Sequence, residues 1–240
     1  MKDLYQQDLA YIHATGFGDF ARNAAPEILR RFGAASIPVR RVVEVGCGAG
    51  PLTKTLVDAG FEVTAIDVSF ELLRIARTAS PEARFLLGSI YTQEIPACEA
   101  IVAIGEPLTY HDGYDGDAHL QDFFRRSFNV LPQGALLIFD LIELGQPALT
   151  GRSWKAGEDW AVLVDTSEDQ SSRTLIREIE IFRKVGNTYQ RGREVHRVRL
   201  FDSGEVCGWL ESAGFRISTA VAYGDFRLPP RRRSFFGIRA

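Results

Sequence analysis

A glycine-rich turn constrains the fold of this chain more than any other feature of its sequence. Residues 44–50 read Glu-Val-Gly-Cys-Gly-Ala-Gly and stand between the apolar run 42–45 and the helix-like segment 51–59. Glycines permit positive φ and a close ligand approach that a Cβ would block. The free N–H groups at the start of the following helix would face such a ligand. The turn therefore predicts a strand–turn–helix unit with a binding site at its tip.

The segments around this turn alternate between strand and helix, which is typical of a parallel sheet covered by helices on both faces. Three later strand-like runs follow one another without a helix and predict an antiparallel β insertion. The alternating strands are predicted at 42–45, 61–66, 84–87, 100–104 and 134–141, and the helices at 51–59, 69–78 and 118–130. The insertion strands are predicted at 160–165, 175–185 and 188–201, before a final helix at 205–212 and strands at 215–223 and 234–239.

The N-terminal segment has apolar residues at helical spacing that are interrupted at Gly16-Phe17-Gly18. This predicts two helices with a glycine hinge between them, and Pro26 is expected in the first turn of the second helix. The resulting domain division is 1–40 as a helical lid, 41–144 as a cofactor-binding core, 145–200 as a capping insertion, and 201–240 as the end of the core sheet.

The residues around the turn favour a cationic amino-acid cofactor over a dinucleotide. Asp67 stands twenty-one residues after Gly46, where a carboxylate can accept the hydroxyls of a ribose. Pro51 occupies the place of the third glycine in nicotinamide-binding turns, and Glu44 adds a negative charge that suits an ammonium group. A nicotinamide cofactor and a turn without a ligand are the alternatives.

Residues 42–141 resemble the class I S-adenosylmethionine-dependent methyltransferases, and the strands after Phe215 resemble the reversed final hairpin of that fold. The segment 145–200 resembles the substrate-capping sheets of small-molecule methyltransferases. The resemblance implies an α/β, Rossmann-like, doubly wound fold whose seven-stranded sheet is mostly parallel, with a reversed final strand and an antiparallel β insertion. It also implies S-adenosyl-L-methionine as the cofactor.

The resemblance assigns roles to the cofactor contacts. Gly46, Cys47 and Gly48 would pack on the methionyl part, and Asp67 would hold the ribose. Family members commonly carry an aspartate after a glycine at the end of the third strand, whereas this chain has Gly88-Ser89-Ile90. The hydroxyl of Ser89 can still accept a hydrogen bond. The expected cofactor-binding set is Glu44, Gly46, Cys47, Gly48, Gly50, Asp67, Val68, Ser89, Ile90 and Gly105.

Methyl transfer from a sulfonium requires alignment and exclusion of water more than a catalytic triad. A general base is needed only if the nucleophile arrives protonated. His111, which follows Tyr110 beyond the fourth strand, is the candidate base, and a solvated loop histidine is its alternative. Asp140 and Glu143, at the end of the fifth strand, are expected to face the cleft or to serve as a helix cap or loop carboxylate.

The insertion carries charged residues on an apolar face. A two-residue turn at 186–187 sets Arg177 opposite His196 and Ile179 opposite Glu194. Arg177 is then expected either to form a diagonal ion pair with Glu194 or, with His196, to contact substrate from the roof of the cleft. The opposite face, with glutamates 178 and 180 and arginines 191, 193, 197 and 199, is expected to be a solvated ladder of charge pairs.

A few further side chains complete the predicted site. Tyr11, followed by the glycine hinge, is the preferred lid residue. The arginines 231–233 are expected on a solvated loop. The expected substrate-binding set is Tyr11, Tyr110, Asp140, Arg177 and His196, and no metal site is expected because the four histidines lack partners at ligand spacing.

Composition limits the remaining choices. The net charge of −3 gives no general attraction to nucleic acid or an anionic membrane. The three cysteines and the polar N-terminus suggest a cytoplasmic protein without disulfides, either a monomer or a homodimer.

The expected activity is methylation of a small-molecule oxygen or nitrogen. An RNA or protein methyltransferase is one alternative, although residues 105–110 do not match the Asn/Asp-Pro-Pro-Tyr/Phe motif. An NAD-dependent oxidoreductase or a non-catalytic cofactor-binding protein is the other.

Overall fold

The computed structural model describes residues 4–110 and 116–240. Two helices, α1 (Gln7–Gly16) and α2 (Asp19–Gly33), open the chain and meet at the predicted hinge. Pro26 lies inside α2 instead of in its first turn, because the helix begins seven residues before it. A proline there removes one helical N–H, but the helix continues through it. No helix in the described part of the chain has the length and apolar character needed to cross a membrane.

One seven-stranded sheet forms the centre of the molecule. Its helices and strands are β1 (Arg41–Val45), α3 (Pro51–Asp58), β2 (Glu62–Asp67), α4 (Phe70–Ala79), β3 (Arg84–Leu87), β4 (Ala100–Ala103), α5 (Gly116–Val130) and β5 (Leu136–Ile142). A short 3₁₀ helix spans Pro107–Thr109. After the insertion strands β6 (Gly151–Ala156), β7 (Trp160–Asp169), β8 (Thr174–Val185) and β9 (Thr188–Arg199) come α6 (Ser203–Ala213), β10 (Phe215–Ala220), β11 (Ala222–Tyr223), β12 (Phe226–Arg227) and β13 (Arg232–Arg239).

The strand order of the central sheet is β10-β13-β5-β4-β1-β2-β3. Strands β1 to β5 pair in parallel, whereas β13 runs antiparallel to both β5 and β10. The predicted fold class is therefore confirmed, including the reversed final strand. The chain moves outward from β1 in one direction to β3 and then crosses to β4 on the other side. This reversal leaves a crevice at the carboxyl ends of β1 and β4, where open α/β sheets bind ligands.

Each face of the sheet is covered by its own apolar core. Helices α5 and α6 cover one face, where Phe123 and Val206 pack with the strand residues Phe139 and Phe235. The rings of Phe139 and Phe235 stack at 4.8 Å between centroids. Helices α2, α3 and α4 cover the other face with a second buried cluster. Both faces of the central strands β4 and β5 are buried, which is why their sequences are almost continuous apolar runs.

The insertion folds as a four-stranded antiparallel sheet in the order β6-β7-β8-β9. The hairpin register is confirmed, with Arg177 opposite His196 and Ile179 opposite Glu194. Strand β6 was not predicted, because all of its residues are exposed and it shows no alternating pattern. Buried residues of α1 pack against the insertion in a cluster that includes Ile12 and Trp160. The N-terminal helix therefore joins the insertion to the rest of the molecule.

The arginines 231–233 were wrongly expected on a solvated loop. Arg231 pairs with Glu168 at 2.7 Å and donates to the carbonyl of Glu143. Arg232 and Arg233 already belong to β13, and Arg233 pairs with the carboxylate of Glu143 at 2.6 Å. A run of like charges is compatible with an ordered strand here because each guanidinium reaches a carboxylate on a neighbouring segment.

Candidate functional site

A cavity of about 460 Å³ opens at the carboxyl ends of the parallel strands. The glycine turn, the end of β2 and residues 88–91 line one part of it. The loop after β4, one face of the insertion sheet and the N-terminal segment enclose the other part. A cavity of this size suits a small ligand or cofactor. Residues of both the insertion and the N-terminal segment therefore line this cavity.

The glycine turn has the backbone geometry that its sequence predicts. Gly46, Gly48 and Gly50 adopt φ values of +64°, +56° and +82°. A Cβ at Gly46 would collide with Pro107, whereas a Cβ at Gly48 would face the ring of His13 across the cavity. Gly46 and Gly48 line the cavity, and Gly50 caps α3 behind them. Gly46 therefore makes room for Pro107, Gly48 lines the cavity beside His13, and Gly50 completes the turn.

Asp67 ties the end of β2 to this turn. One of its carboxylate oxygens accepts from the backbone N–H of Gly48 at 2.8 Å, and the other accepts from the N–H of Ser69 at 2.8 Å. Burial raises the pKa of Asp67, although these backbone donors oppose the shift. Asp67 also lines the cavity, so its carboxylate is both positioned by the backbone and accessible to a ligand hydroxyl.

Glu44 contributes a buried carboxyl to the same end of the cavity. Its Oε2 accepts from the hydroxyl of Thr53 at 2.5 Å. Burial, with a smaller effect from the nearby Asp67, raises the pKa of Glu44 to about 8. A cation entering the cavity would stabilise the ionised form of Glu44 and lower this pKa. The turn therefore has an electrostatic preference for a positively charged ligand.

The other predicted cofactor contacts also line the cavity, with one exception. Gly50 lies outside it because it is turned toward Ala76 on α4. Cys47 is a buried free thiol whose pKa is raised by burial. The residues that line the cavity are Glu44, Gly46, Cys47, Gly48, Asp67, Val68, Ser89, Ile90 and Gly105.

A buried ion network connects the insertion to the core sheet. Glu106, in the loop after β4, binds Arg177 of β8 and Arg232 of β13. Burial alone would raise the pKa of Glu106, but the two guanidinium groups outweigh it and hold the pKa below its usual value. The ion pair predicted between Arg177 and Glu194 was wrong, since Arg177 is paired with Glu106. Arg177 lines the cavity, as the alternative prediction required.

Asp140 does not face the cleft. Its side chain is fully buried, and its oxygens accept from Gly105 N at 2.8 Å, Arg232 at 2.9 Å and the Tyr223 hydroxyl at 3.3 Å. Asp140 therefore supports the cavity floor from below. The prediction placed it in the cleft because it ends a parallel strand, but alternating residues of that strand point to opposite faces.

Tyr110 and His196 lie side by side at the roof of the cavity. The Tyr110 hydroxyl is 3.2 Å from His196 Nδ1 and 3.3 Å from the hydroxyl of Tyr5. Tyr110 also forms an antiparallel bridge with Val198 of β9. The loop after β4 is thereby fixed to the insertion. Tyr5, which precedes the first helix, also lines the cavity.

Helix α1 presents His13, and not Tyr11, to the cavity. The hydroxyl of Tyr11 donates to Asp159 at 2.9 Å, and Arg183 lies 3.9 Å above its ring. Residues two positions apart on a helix are separated by about 200° around its axis, so His13 points to the opposite side. Burial and the neighbouring His196 lower the pKa of His13 to about 4, and its buried Nδ1 has no hydrogen-bond partner among the described residues. Helical phase was the signal that could have identified His13.

His111, the predicted base, lies outside the described residues. Within the described residues, 4–110 and 116–240, no group of three or more His, Cys, Asp or Glu side chains has the arrangement of a metal site. Several polar residues line the cavity without having been predicted there: His13, Tyr91, Ser153, Thr166 and Arg232.

Comparisons with known proteins show which domain and which fold this chain resembles. Residues 42–134 match the family model of a methyltransferase domain. A relative from Geobacillus sp. (strain WCH70), named provisionally as a methyltransferase, is 24% identical over 199 residues, which cover 76% of each chain.

Solved structures share the whole fold. A S-adenosylmethionine-dependent methyltransferase from Clostridium acetobutylicum superposes with a TM-score of 0.81 at 18% identity, covering 95% of this chain and 96% of that one. The sugar N-methyltransferase KedS8 from Streptoalloteichus sp. superposes with a TM-score of 0.77 at 18% identity, covering 100% of this chain and 94% of that one. Residues 42–134 thus match a methyltransferase domain, and the whole chain has the fold of these solved S-adenosylmethionine-dependent methyltransferases.

Proposed function

We propose that the chain transfers a methyl group from S-adenosylmethionine to an amine or hydroxyl of a small molecule held in the 460 Å³ cavity. The observation that carries this proposal is the continuity of that cavity. It joins the glycine turn and Asp67 at one end to Tyr110, Arg177 and His196 at the other. A donor and an acceptor bound in one cavity can be aligned for direct transfer.

The residues around the glycine turn suit the proposed cofactor. Gly46 and Gly48 line the cavity where the methionyl part would lie, and the Asp67 carboxylate can accept the ribose hydroxyls. Val68 and Ile90 supply apolar walls for the adenine, and Ser89 lines the same part of the cavity. The cofactor supplies a methyl group that is already activated by its sulfonium charge, so the protein has mainly to bind, orient and exclude water.

Charge supports the same assignment. Glu44 and Asp67 place two carboxyl groups at the turn, and burial opposes ionisation of both. S-adenosylmethionine brings an ammonium and a sulfonium, each of which favours the ionised carboxylates. A dinucleotide would instead place a pyrophosphate beside them, which is electrostatically unfavourable.

The acceptor end of the cavity suits a compact polar molecule. Apolar side chains of the insertion, Val162, Val164 and Ile179, surround a small number of polar groups. The structural relative KedS8 is a sugar N-methyltransferase, which supports a sugar-sized acceptor with an amine. Arg177 and His196 are the residues we assign to acceptor binding, and His111 stays a candidate base.

The N-terminal helices and the insertion both line the cavity, and this position is the basis of the roles proposed for them. We assign residues 1–40 to a lid and 145–200 to a cap over the core, because α1 packs on the insertion above the cavity.

The three cysteines are free thiols, which is compatible with the reducing cytoplasm.

Thermal unfolding with added ligands tests the cofactor assignment. S-adenosylmethionine and S-adenosylhomocysteine are expected to raise the Tm, because a ligand that binds only the folded state stabilises it. Stabilisation by NAD alone would contradict the assignment.

Turnover tests the acceptor class. The chain is incubated with S-adenosylmethionine and a panel of amino sugars and hydroxylated sugars, and products are detected by the mass gain of one methylene. At least one amine or hydroxyl compound is expected to gain it. Methylation confined to RNA or protein in parallel incubations would contradict a small-molecule acceptor.

A further inference from the structure

Four polar side chains form an unbroken chain of hydrogen bonds from the cavity into the insertion sheet. The hydroxyls of Tyr5 and Tyr110 are 3.3 Å apart, and the Tyr110 hydroxyl is 3.2 Å from His196 Nδ1. The other ring nitrogen of His196, Nε2, is 2.9 Å from Glu194 Oε2. The first three residues line the cavity, whereas Glu194 is buried behind them. We call these four residues the tyrosine relay: Tyr5, Tyr110, His196 and Glu194.

The partners of Glu194 fix the direction of every hydrogen bond in the relay. Glu194 accepts from the backbone N–H groups of Tyr5 at 2.8 Å and Gln6 at 2.9 Å, as a carboxylate does. The neutral imidazole of His196 then donates from Nε2 to Glu194, which leaves Nδ1 as an acceptor for the Tyr110 hydroxyl. The Tyr110 oxygen in turn accepts from Tyr5. All protons therefore point toward Glu194, and the oxygen at the cavity end is free to accept one more.

The protonation of the two phenols agrees with this direction. Burial raises the pKa of Tyr5 to about 12 and also raises the pKa of Tyr110 well above its usual value. Both phenols therefore keep their protons near neutral pH and can accept a new proton only while passing their own onward. Concerted transfer along such a chain avoids placing a charge on either phenol.

The relay is held in place from three parts of the chain. Tyr5 has a φ of +53°, a costly conformation for a residue with a Cβ. Glu194 fixes its N–H, and the hydroxyl of Ser69 donates to its carbonyl at 2.9 Å. Tyr110 is fixed by its bridge to Val198. Strain of this kind clusters at functional sites, where the surrounding structure maintains it.

We propose that the tyrosine relay receives the proton that leaves the methyl acceptor, an inference that rests on the proposed function. The lone pair of the acceptor nitrogen or oxygen forms the new bond to the methyl carbon. The carbon–sulfur bond breaks, and its electron pair stays on sulfur. The acceptor proton passes to the phenol oxygen at the cavity end, and the phenol protons move along to His196 Nδ1. The resulting imidazolium is paired with Glu194 until the proton returns to water.

The other groups that face His196 are poorer proton acceptors. Burial and the nearby His196 lower the pKa of His13 to about 4, so it is a weak base at neutral pH. Glu106 is engaged by two arginines, which hold its pKa below the usual value. Arg177 is already protonated. Within the described part of the chain, the relay is therefore the best-connected path for a proton leaving the enclosed cavity.

Nitrogen NMR of the histidines in the full-length protein tests the relay without an acceptor. The Nδ1 and Nε2 resonances of His196 are expected to show protonated Nε2 and a hydrogen-bonded Nδ1. Tyr110→Phe should move Nδ1 to the position of a free acceptor and leave Nε2 protonated. Tyr189→Phe, on the exposed end of the same sheet, should change neither. A His196 protonated at Nδ1, or an Nδ1 resonance insensitive to Tyr110→Phe, would overturn the proposal.

Kinetics with an amino sugar or hydroxylated sugar that turns over tests the function of the relay. Tyr110→Phe is expected to lower kcat by about 10²–10⁴-fold, the usual contribution of general acid–base catalysis. The affinity for S-adenosylmethionine should stay unchanged, and Tyr189→Phe should have the wild-type kcat. A Tyr110→Phe enzyme with kcat within threefold of wild type would reject the relay as a proton path. Absence of turnover with every small molecule would count against the proposed function, while the NMR result would still decide whether the relay exists.

Discussion

Single residues at the glycine turn set both the shape and the charge of the site. Gly46 has no room for a Cβ, because Pro107 lies against it, and its φ of +64° belongs to the region that favours glycine. Glu44 supplies a carboxyl whose pKa burial raises to about 8. The geometry at Gly46 therefore excludes a larger residue. The raised pKa of Glu44 makes the charge at the turn depend on pH.

Replacement of Gly46 should be far more harmful than replacement of another glycine with positive φ. Gly60 has a φ of +88° but nothing within 4 Å of a Cβ placed there, so Gly60→Ala is expected to cost only about 1–2 kcal/mol. Gly46→Ala adds a collision and should cost more in the free energy of unfolding, measured with denaturant. It should also abolish binding of S-adenosylmethionine. Equal losses of stability in the two variants would contradict this account of the turn.

Glu44 should make folding less favourable as pH rises. The folded pKa of about 8 lies above the value of about 4.3 for an unfolded chain. The folded state therefore holds this proton more tightly, and its stabilisation is lost as pH rises from about 4.3 through about 8. Glu44→Gln removes the effect, so its Tm should approach wild type near pH 5. At pH 8 to 9 it should exceed wild type by at least about 2–4 °C, the effect of 1 kcal/mol in a chain of this size.

A Tm difference between Glu44→Gln and wild type that stays constant with pH would contradict this assignment. The same variant should bind S-adenosylmethionine more weakly, since the charge that a cation stabilises is gone.

Elements are joined at the site by ion pairs as well as by apolar packing. Arg177 of β8 and Arg232 of β13 meet at Glu106, so the insertion, the final strand and the loop after β4 share one buried carboxylate. Removing one partner of a buried pair is costly because the remaining charge loses its compensation. This network holds the roof of the cavity to its floor.

Arg177→Met should therefore destabilise the protein by on the order of 2–3 kcal/mol, less than a fully unpaired charge would, because Arg232 still reaches Glu106. Arg152→Met is the matched control on the same sheet. Its pair with Asp165 is exposed, with side-chain accessibilities of 86% and 51%. The control should change the free energy of unfolding by less than about 0.5 kcal/mol. Chemical denaturation of both variants measures the difference, and a loss in Arg177→Met no larger than in the control would rule out a structural role for the network.

At the scale of the whole molecule, the sequence predicted the layers and most of the cofactor end of the site. Strand–helix alternation and the hairpin turn at 186–187 depend on local patterns, so the central sheet and the register of the insertion followed from them. Strand β6 had no such pattern, since its residues are all exposed.

The acceptor end was predicted less well, because its contacts join distant segments. Glu194 reaches the N-terminus, Arg177 reaches Glu106, and Asp140 turns to Arg232. Local spacing does not encode such partners. Tyr11 was expected at the lid because the glycine hinge follows it, but the helical phase of α1 turns His13 to the cavity instead.

Calorimetric titration of the full chain with S-adenosylmethionine tests the central claim most directly. Wild type should bind with a one-to-one stoichiometry, and Asp67→Ala should bind about 10–100-fold more weakly, the loss expected for a charge-assisted hydrogen bond. Asp58→Ala, an exposed aspartate on α3, should bind as wild type does. Saturable binding of NAD with no heat from S-adenosylmethionine, or equal affinities in the two aspartate variants, would contradict the claim that Asp67 and the glycine turn form the cofactor site.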